Sequence, residues 1–301
     1  MAVDVHSEKL RDLVDENAEV EQIATGFTFT EGPIWMKDGS LHFSDMPADK
    51  RRRWHPEEGV TVLRDPSNKC NGMTLDNDGN LIVCEHVTSS VVRESPDGSK
   101  REALATHWGD NELNSPNDVI VASDGSILFS DPTYGRMPGF GLEREQDLDF
   151  QGVYRIPAGG GDLQLLVDDF KQPNGLCFSP DESLLYVNDT ERAHIRVFDV
   201  GPDHQLSNGR VFAENIGDGD LAKGVVDGMK IDERGDVYVT GPEGIWVFSP
   251  EGEHLGTIQV PEPTGNLNWG DDDWKSLYIP SSTSIYRVRM KVGGNRLGYM
   301  H

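Results

Sequence analysis

Six residues with oxygen-bearing side chains open six similar phrases along the chain. They are Glu31-Gly-Pro-Ile-Trp, Asn71-Gly-Met-Thr-Leu, Asn117-Asp-Val-Ile-Val, Asn174-Gly-Leu-Cys-Phe, Asp227-Gly-Met-Lys-Ile and Asn266-Leu-Asn-Trp. Carboxylate and amide oxygens without a Cys or His cluster select a hard cation, Ca²⁺ first and then Mg²⁺ or Mn²⁺. Asn, Asp and Gly at strand starts also serve turns. Six in register argue instead for one shared site, because a turn would accept Ser, Thr or Lys equally well.

The elements that must position these side chains follow from the same repeat. Each phrase is followed by a polar turn, such as Asp38-Gly39, Asp78-Gly79 or Asp124-Gly125, and then by an apolar run such as Leu41 to Phe43 or Ile127 to Phe129. A turn between two strand-like runs is a hairpin. Self-similarity at about 40–55 residues is the signature of stacked modules such as propeller blades. The sequence therefore predicts an all-β, six-bladed β-propeller whose blades aim the six residues at one mouth of a central channel. Asp45, Glu85, Asp131, Asp189, Gly241 and Ser281 end the second strand of each hairpin and are expected at the same mouth as a second ring.

Residues 1–18 read as an N-terminal extension with a short helix carrying Leu10, Leu13 and Val14. Residues 19–295 read as a single propeller domain, and the segment from Glu19 to Phe29 as a strand that completes the last blade and closes the ring. The long segments Tyr134 to Phe150 and Ile216 to Val226 are expected to be loops that wall a site. The histidine next to a ring-end position, His86, is a candidate at the rim, as are Thr133 and Tyr134. Trp35, Phe140 and Trp269 lie close enough in sequence to ring positions or mouth loops to be expected in the pocket.

Bulk properties narrow the class. The 301 residues carry a formal net charge of −25, which argues against nucleic acid or an anionic membrane as partner. No apolar run approaches the roughly 20 residues of a membrane helix, and no secretory h-region is visible. Three cysteines, Cys70, Cys84 and Cys177, lack metal spacing and are expected as buried free thiols, with the cytoplasm as location. There is no Gly-x-Ser-x-Gly elbow, HExxH or Walker-A loop, and Asp76-Asn77-Asp78-Gly79 reads as a hairpin turn rather than an EF-hand.

Several stretches together resemble the gluconolactonase, regucalcin (senescence marker protein) and luciferin-regenerating enzyme family. They are Thr30-Glu31-Gly32-Pro33, Ser115-Pro116-Asn117-Asp118, the run from Phe129 to Gly135, Gln172-Pro173-Asn174-Gly175, Phe178-Ser179-Pro180-Asp181 and Asp227-Gly228-Met229. The phrases around Asp131 and Asn266 look most like the bacterial gluconolactonase branch. The resemblance implies a metal-dependent hydrolase that opens small lactones, aldonolactones such as gluconolactone. It implies one divalent cation, Ca²⁺ foremost with Zn²⁺, Mn²⁺ or Mg²⁺ as options, held by Glu31, Asn117, Asn174 and Asp227, with Asp227 as general base. Asn71 and Asn266 are then left to orient substrate. Regucalcins that take sugar lactones carry an Arg where this chain has Ser115, so recognition of sugar hydroxyls must come from elsewhere. Broad activity on five- and six-membered lactones is expected. The same ligand pattern serves phosphotriesterases of the diisopropyl-fluorophosphatase type, and a non-catalytic calcium-binding propeller is a third reading.

Overall fold

The computed structural model describes residues 2–296. It is a six-bladed β-propeller whose blades are four-stranded antiparallel meanders, each running from the channel outward. Blade 1 comprises Thr30–Trp35, Leu41–Asp45, Lys50–His55 and Gly59–Arg64. Blade 2 comprises Cys70–Leu75, Leu81–Glu85, Ser90–Glu94 and Arg101–Ala105. Blade 3 has Val119–Val121 innermost, then Ile127–Asp131, Gln151–Ile156 and Gln164–Phe170. Blade 4 runs Pro173–Phe178, Leu184–Asp189, His194–Val200 and Leu206–Ala213. Blade 5 runs Met229–Ile231, Val237–Gly241, Gly244–Phe248 and His254–Gln259.

Blade 6 takes three strands from the C-terminal end of the chain, Asn268–Gly270, Ser276–Ser281 and Ser284–Arg289. Its fourth is Val20–Thr25, paired antiparallel along Ser284–Arg289, so the ring closes as the sequence predicts. The N-terminal extension is part of the fold. Val3–Val5 adds a fifth strand to blade 5 against His254–Gln259, and the helical segment is a 3₁₀ helix over Glu8–Asp12. Leu10, Leu13 and Val14 are buried with Tyr238, Leu255 and Trp269, apolar surface that the strands of blades 5 and 6 could not cover alone.

The hairpin turns are built as the sequence indicates. Asp38, Asp76, Asp124, Asp181 and Asp232 each accept a backbone N–H two residues on, from Ser40, Asp78, Ser126, Ser183 and Arg234. The acidic stretch at Asp76 is therefore one of several such turns, with Asp273 and Lys275 N–H making that of blade 6. Apolar clusters fill the spaces between neighbouring blades; Ile34 of blade 1, for example, packs with Met73, Leu75 and Val83 of blade 2. All three cysteines are buried and free. Among the described residues no helix is long and apolar enough to cross a membrane.

Candidate active site

The inner strands are what aim the ring. In blade 1 Glu31 pairs with Ser44 and Ile34 with His42, so three steps on the inner strand match two on its neighbour. The same one-residue excess lies between Cys70 and Met73 in blade 2 and between Pro173 and Leu176 in blade 4. A bulge of this kind breaks the alternation and re-aims a side chain. In blades 2 and 4 it falls on Asn71 and Asn174, and in blade 1 it follows Glu31 directly.

The residue after the ring position sets how tightly the blades close. A Cβ on Gly72 would lie 2.5 Å from the Asn117 carbonyl oxygen, and one on Gly175 would lie 2.3 Å from that of Asp227. Only glycine permits this approach. It lets the Gly72 and Gly175 N–H groups bond those carbonyls at 2.8 and 3.0 Å, stitching neighbouring blades together around the axis. Blade 3 departs from the pattern with Asp118. This buried carboxylate lies deeper in the channel, with Oδ2 3.7 Å from Lys230 Nζ.

Glu31, Asn71, Asn117, Asn174 and Asp227 converge on the floor of one cavity of about 160 Å³. Four are buried, while Asp227 keeps partial exposure. His86 and Tyr134 stand above them, with Thr190, which no sequence signal marked. The upper wall is apolar: Phe29, Met46, Met137, Phe140, Leu221, Val225 and Pro263. Both long loops contribute to it.

Each floor residue has a distinct set of partners. Glu31 Oε2 accepts from its neighbour Gly32 N–H at 2.8 Å and from Asn266 Nδ2 at 3.0 Å. Asn266 Oδ1 accepts from Leu267 N–H. Both ends of the Asn266 amide are thus engaged, and it stands behind Glu31 rather than in the cavity wall. Asn174 donates from Nδ2 to Thr190 at 3.2 Å, which leaves Oδ1 buried without a partner. Asn71 Oδ1 is likewise buried and unpartnered. His86 Nδ1 lies 2.9 Å from the Phe140 carbonyl, which can only accept, so this nitrogen carries the proton. Nε2, 3.3 Å from Asn71 Nδ2, is then the acceptor.

The electrostatics of the floor are those of carboxyls crowded out of water. Burial raises the Glu31 pKa well above the usual carboxylate range, against hydrogen bonds from Asn266 and Gly32 that favour the charged form. Asp227 is raised by burial first, then by the Glu31 and Asp118 charges. The two carboxyls and the unpartnered Asn174 oxygen fit a divalent cation among them, whose charge would relieve the repulsion and fill that open acceptor. Among the described residues no group of three or more His, Cys, Asp or Glu gathers, so such a cation would rest on mixed carboxylate and amide ligands.

The expected second ring is not a second ring of ligands. Asp45 accepts from Thr28 and Phe29 N–H, Asp131 from Asn114 and Ser115 N–H, and Asp189 from Lys171 and Gln172 N–H. In each blade these donors precede the ring residue by three and two positions. The carboxylates hold the chain as it enters the inner strand, because those N–H groups have no ladder partner. Glu85 bonds Asn68 and Arg101 in a related way.

Other candidates also lie outside the cavity. Thr133 exchanges hydrogen bonds with Gln172, Trp35 stacks on Tyr278 at 5.0 Å, and Trp269 packs against Tyr238. Ser115 is buried and tied to Pro132 and Gly135.

The sequence matches the model of the SMP-30/Gluconolactonase/LRE-like region over residues 29–283. The chain belongs to this family. Among relatives within it, the gluconolactonase of Zymomonas mobilis is 32% identical, with 96% of this chain and 86% of that protein covered. The 6-deoxy-6-sulfogluconolactonase of Pseudomonas putida is 29% identical over 84% of this chain and 82% of its own. The structure of a gluconolactonase from Xanthomonas campestris superposes with a TM-score of 0.87 at 31% identity, covering 96% of this chain and 94% of that one. A calcium-binding protein, regucalcin, from Agrobacterium tumefaciens gives 0.77 at 18% identity over 94% and 98% of the two chains, a likeness of fold alone.

Proposed function

We propose that this chain is a metal-dependent lactonase. The observation that carries the reading is the convergence of Glu31 and Asp227, both with raised pKa, and the amides of Asn71, Asn117 and Asn174 on one cavity floor, in a chain similar to gluconolactonases. Glu31, Asn117, Asn174 and Asp227 would hold one divalent cation, Ca²⁺ foremost, whose Lewis acidity stabilises negative charge on the lactone carbonyl oxygen.

The rest is done by side chains of this protein. Asp227 takes a proton from water as the water oxygen attacks the carbonyl carbon. The ring C–O bond then breaks, and the same carboxyl returns the proton to the leaving alkoxide, giving a hydroxy acid. A positioned carboxylate contributes roughly 10²–10⁴-fold in such proton transfers. Glu31, held by Gly32 and Asn266, stays in place as a ligand. Asn71 presents its open Oδ1 to the substrate. The protein works in the cytoplasm, where three free buried thiols persist.

A phosphotriester hydrolase is the second reading, favoured by one observation: the apolar upper wall would accept ester groups. Acid release from lactones and from a fluorophosphate triester, before and after chelation, decides between them. A higher kcat/KM for the phosphoester, or full lactonase activity in metal-free protein, would overturn the first reading.

A further inference from the structure

Among the described residues, eight large apolar side chains stand exposed, and four of them belong to the two loops of the cavity mouth: Met137 (47%), Phe140 (37%), Leu142 (52%) and Leu221 (69%). Exposed apolar residues scattered singly need no explanation, but a cluster marks a binding surface. Three of these four line the cavity that descends to Glu31 and Asp227, so what they meet is whatever reacts on that floor. Phe29 extends the apolar wall inward, edge-on to Phe140 with ring centroids 6.3 Å apart.

The threonine hydroxyls on the upper wall are already occupied. Thr190 donates to the Val226 carbonyl at 2.7 Å and Thr264 to that of Gly244 at 3.2 Å. Above the floor no charged side chain lines the cavity. A sugar lactone carries hydroxyls around its ring, and those turned to Phe140, Met137 and Leu221 would lose water without gaining a partner.

Resting on the lactonase reading, we infer that the preferred substrate is a lactone bearing an apolar substituent on the ring carbon next to the ring oxygen. The carbonyl end reaches the polar floor while an alkyl or aryl group lies along Phe29, Met137, Phe140 and Leu221. The ring opens as for any lactone: water adds to the carbonyl carbon, the ring C–O bond breaks, and the freed oxygen, carrying the substituent's carbon, leaves as an alcohol.

Three six-membered lactones test this on one preparation supplied with Ca²⁺: δ-valerolactone, δ-decalactone with its pentyl branch, and glucono-δ-lactone, followed by acid release. δ-Decalactone should exceed the other two in kcat/KM by about tenfold or more, within the range that added methylenes bring in an apolar pocket. In the double variant Met137→Asp/Leu221→Asp, at two exposed positions, the δ-decalactone to δ-valerolactone ratio should fall at least fivefold. If glucono-δ-lactone equals or exceeds δ-decalactone, or if the double variant keeps the ratio, the substrate class is wrong while the lactonase reading stands. If the Ca²⁺-supplied protein opens none of the three, the lactonase reading itself falls.

Discussion

Asn71 and His86 hold each other in one orientation: Nδ2 of the amide donates to Nε2 of the imidazole across 3.3 Å. The other ring nitrogen is fixed by the Phe140 carbonyl on the mouth loop at 2.9 Å. The pair therefore works only while His86 is neutral, and burial holds its pKa down to about 4. Protonation would present N–H to N–H and turn the amide over, taking Oδ1 away from the cavity.

That pair makes a pH prediction. The folded-state pKa lies below the ordinary histidine value of about 6.5. As pH falls from there towards 4, the unfolded chain binds a proton that the folded chain refuses. Stability is thus lost on acidification through this window, by up to about 1.4 kcal/mol per pH unit. His86→Gln, whose amide can also donate to Phe140 and accept from Asn71, should unfold with a shallower pH dependence between 4 and 6.5. Denaturant midpoints across that range check it, and parallel curves for the two proteins would rule it out.

Glu31 and Asp227 are expected to separate in function. Glu31→Gln should weaken cation binding, so that excess Ca²⁺ restores part of the activity. Asp227→Asn should stay about 10²-fold or more below wild type at saturating Ca²⁺, since an amide cannot take the proton. Calcium titrations of both variants read this out. Equal rescue would make Asp227 a ligand only.

Asp189 should matter for stability. Its two oxygens hold the N–H groups of Lys171 and Gln172 at 2.8 and 3.1 Å, next to the strand that carries Asn174. Asp189→Ala leaves two part-buried backbone donors without partners, and a loss of about 1–3 kcal/mol follows. Chemical denaturation measures it. A change under about 0.5 kcal/mol, the usual limit for an inconsequential surface site, would show that water replaces the carboxylate.

Gly175→Ala should be among the most damaging single methyl additions to this fold. The new carbon would lie 2.3 Å from the Asp227 carbonyl oxygen and 2.7 Å from the Met229 nitrogen, both backbone atoms. Blades 4 and 5 would have to separate at the floor of the site, costing about 3 kcal/mol or more and disturbing Asn174 and Asp227 together. Gly159→Ala, where the added carbon meets nothing within 4 Å but φ is +79°, serves as the control for backbone strain alone. Equal stability of the two variants would argue against the seam.

Much of this was legible in the sequence because a repeat turns position into direction. Glu31, Asn71, Asn117, Asn174 and Asp227 are equivalent in their phrases, and equivalence places them at one mouth. Proximity in sequence is a weaker guide. Trp35 and Trp269 follow ring residues by four and three positions, and the strand carries them away from the cavity into the blade interior. Asn266 shares the repeat position, but its amide is engaged by Glu31 and Leu267, a partner choice that no spacing encodes. The carboxylates from Asp45 to Asp189 were placed at the correct end of their strands, yet which way they turn depends on unpaired N–H groups in the adjoining loops. Met137 and Leu221 stand on segments without periodicity, where sequence gives no direction at all.

Ring closure by Val20–Thr25 has a consequence for how the protein is made. That strand precedes its partner, Ser284–Arg289, by the whole ring of blades, so it is synthesised long before the partner exists. For most of synthesis the early blades must persist as an open arc with a bare edge, the kind of intermediate from which chains misassociate. Glu31 from the first blade and its holder Asn266 from the last come into contact only when the arc shuts. If Glu31 holds the proposed cation, its binding would therefore report completion of the circle, and a chain truncated before Ser284 should lack it even with its first five blades intact.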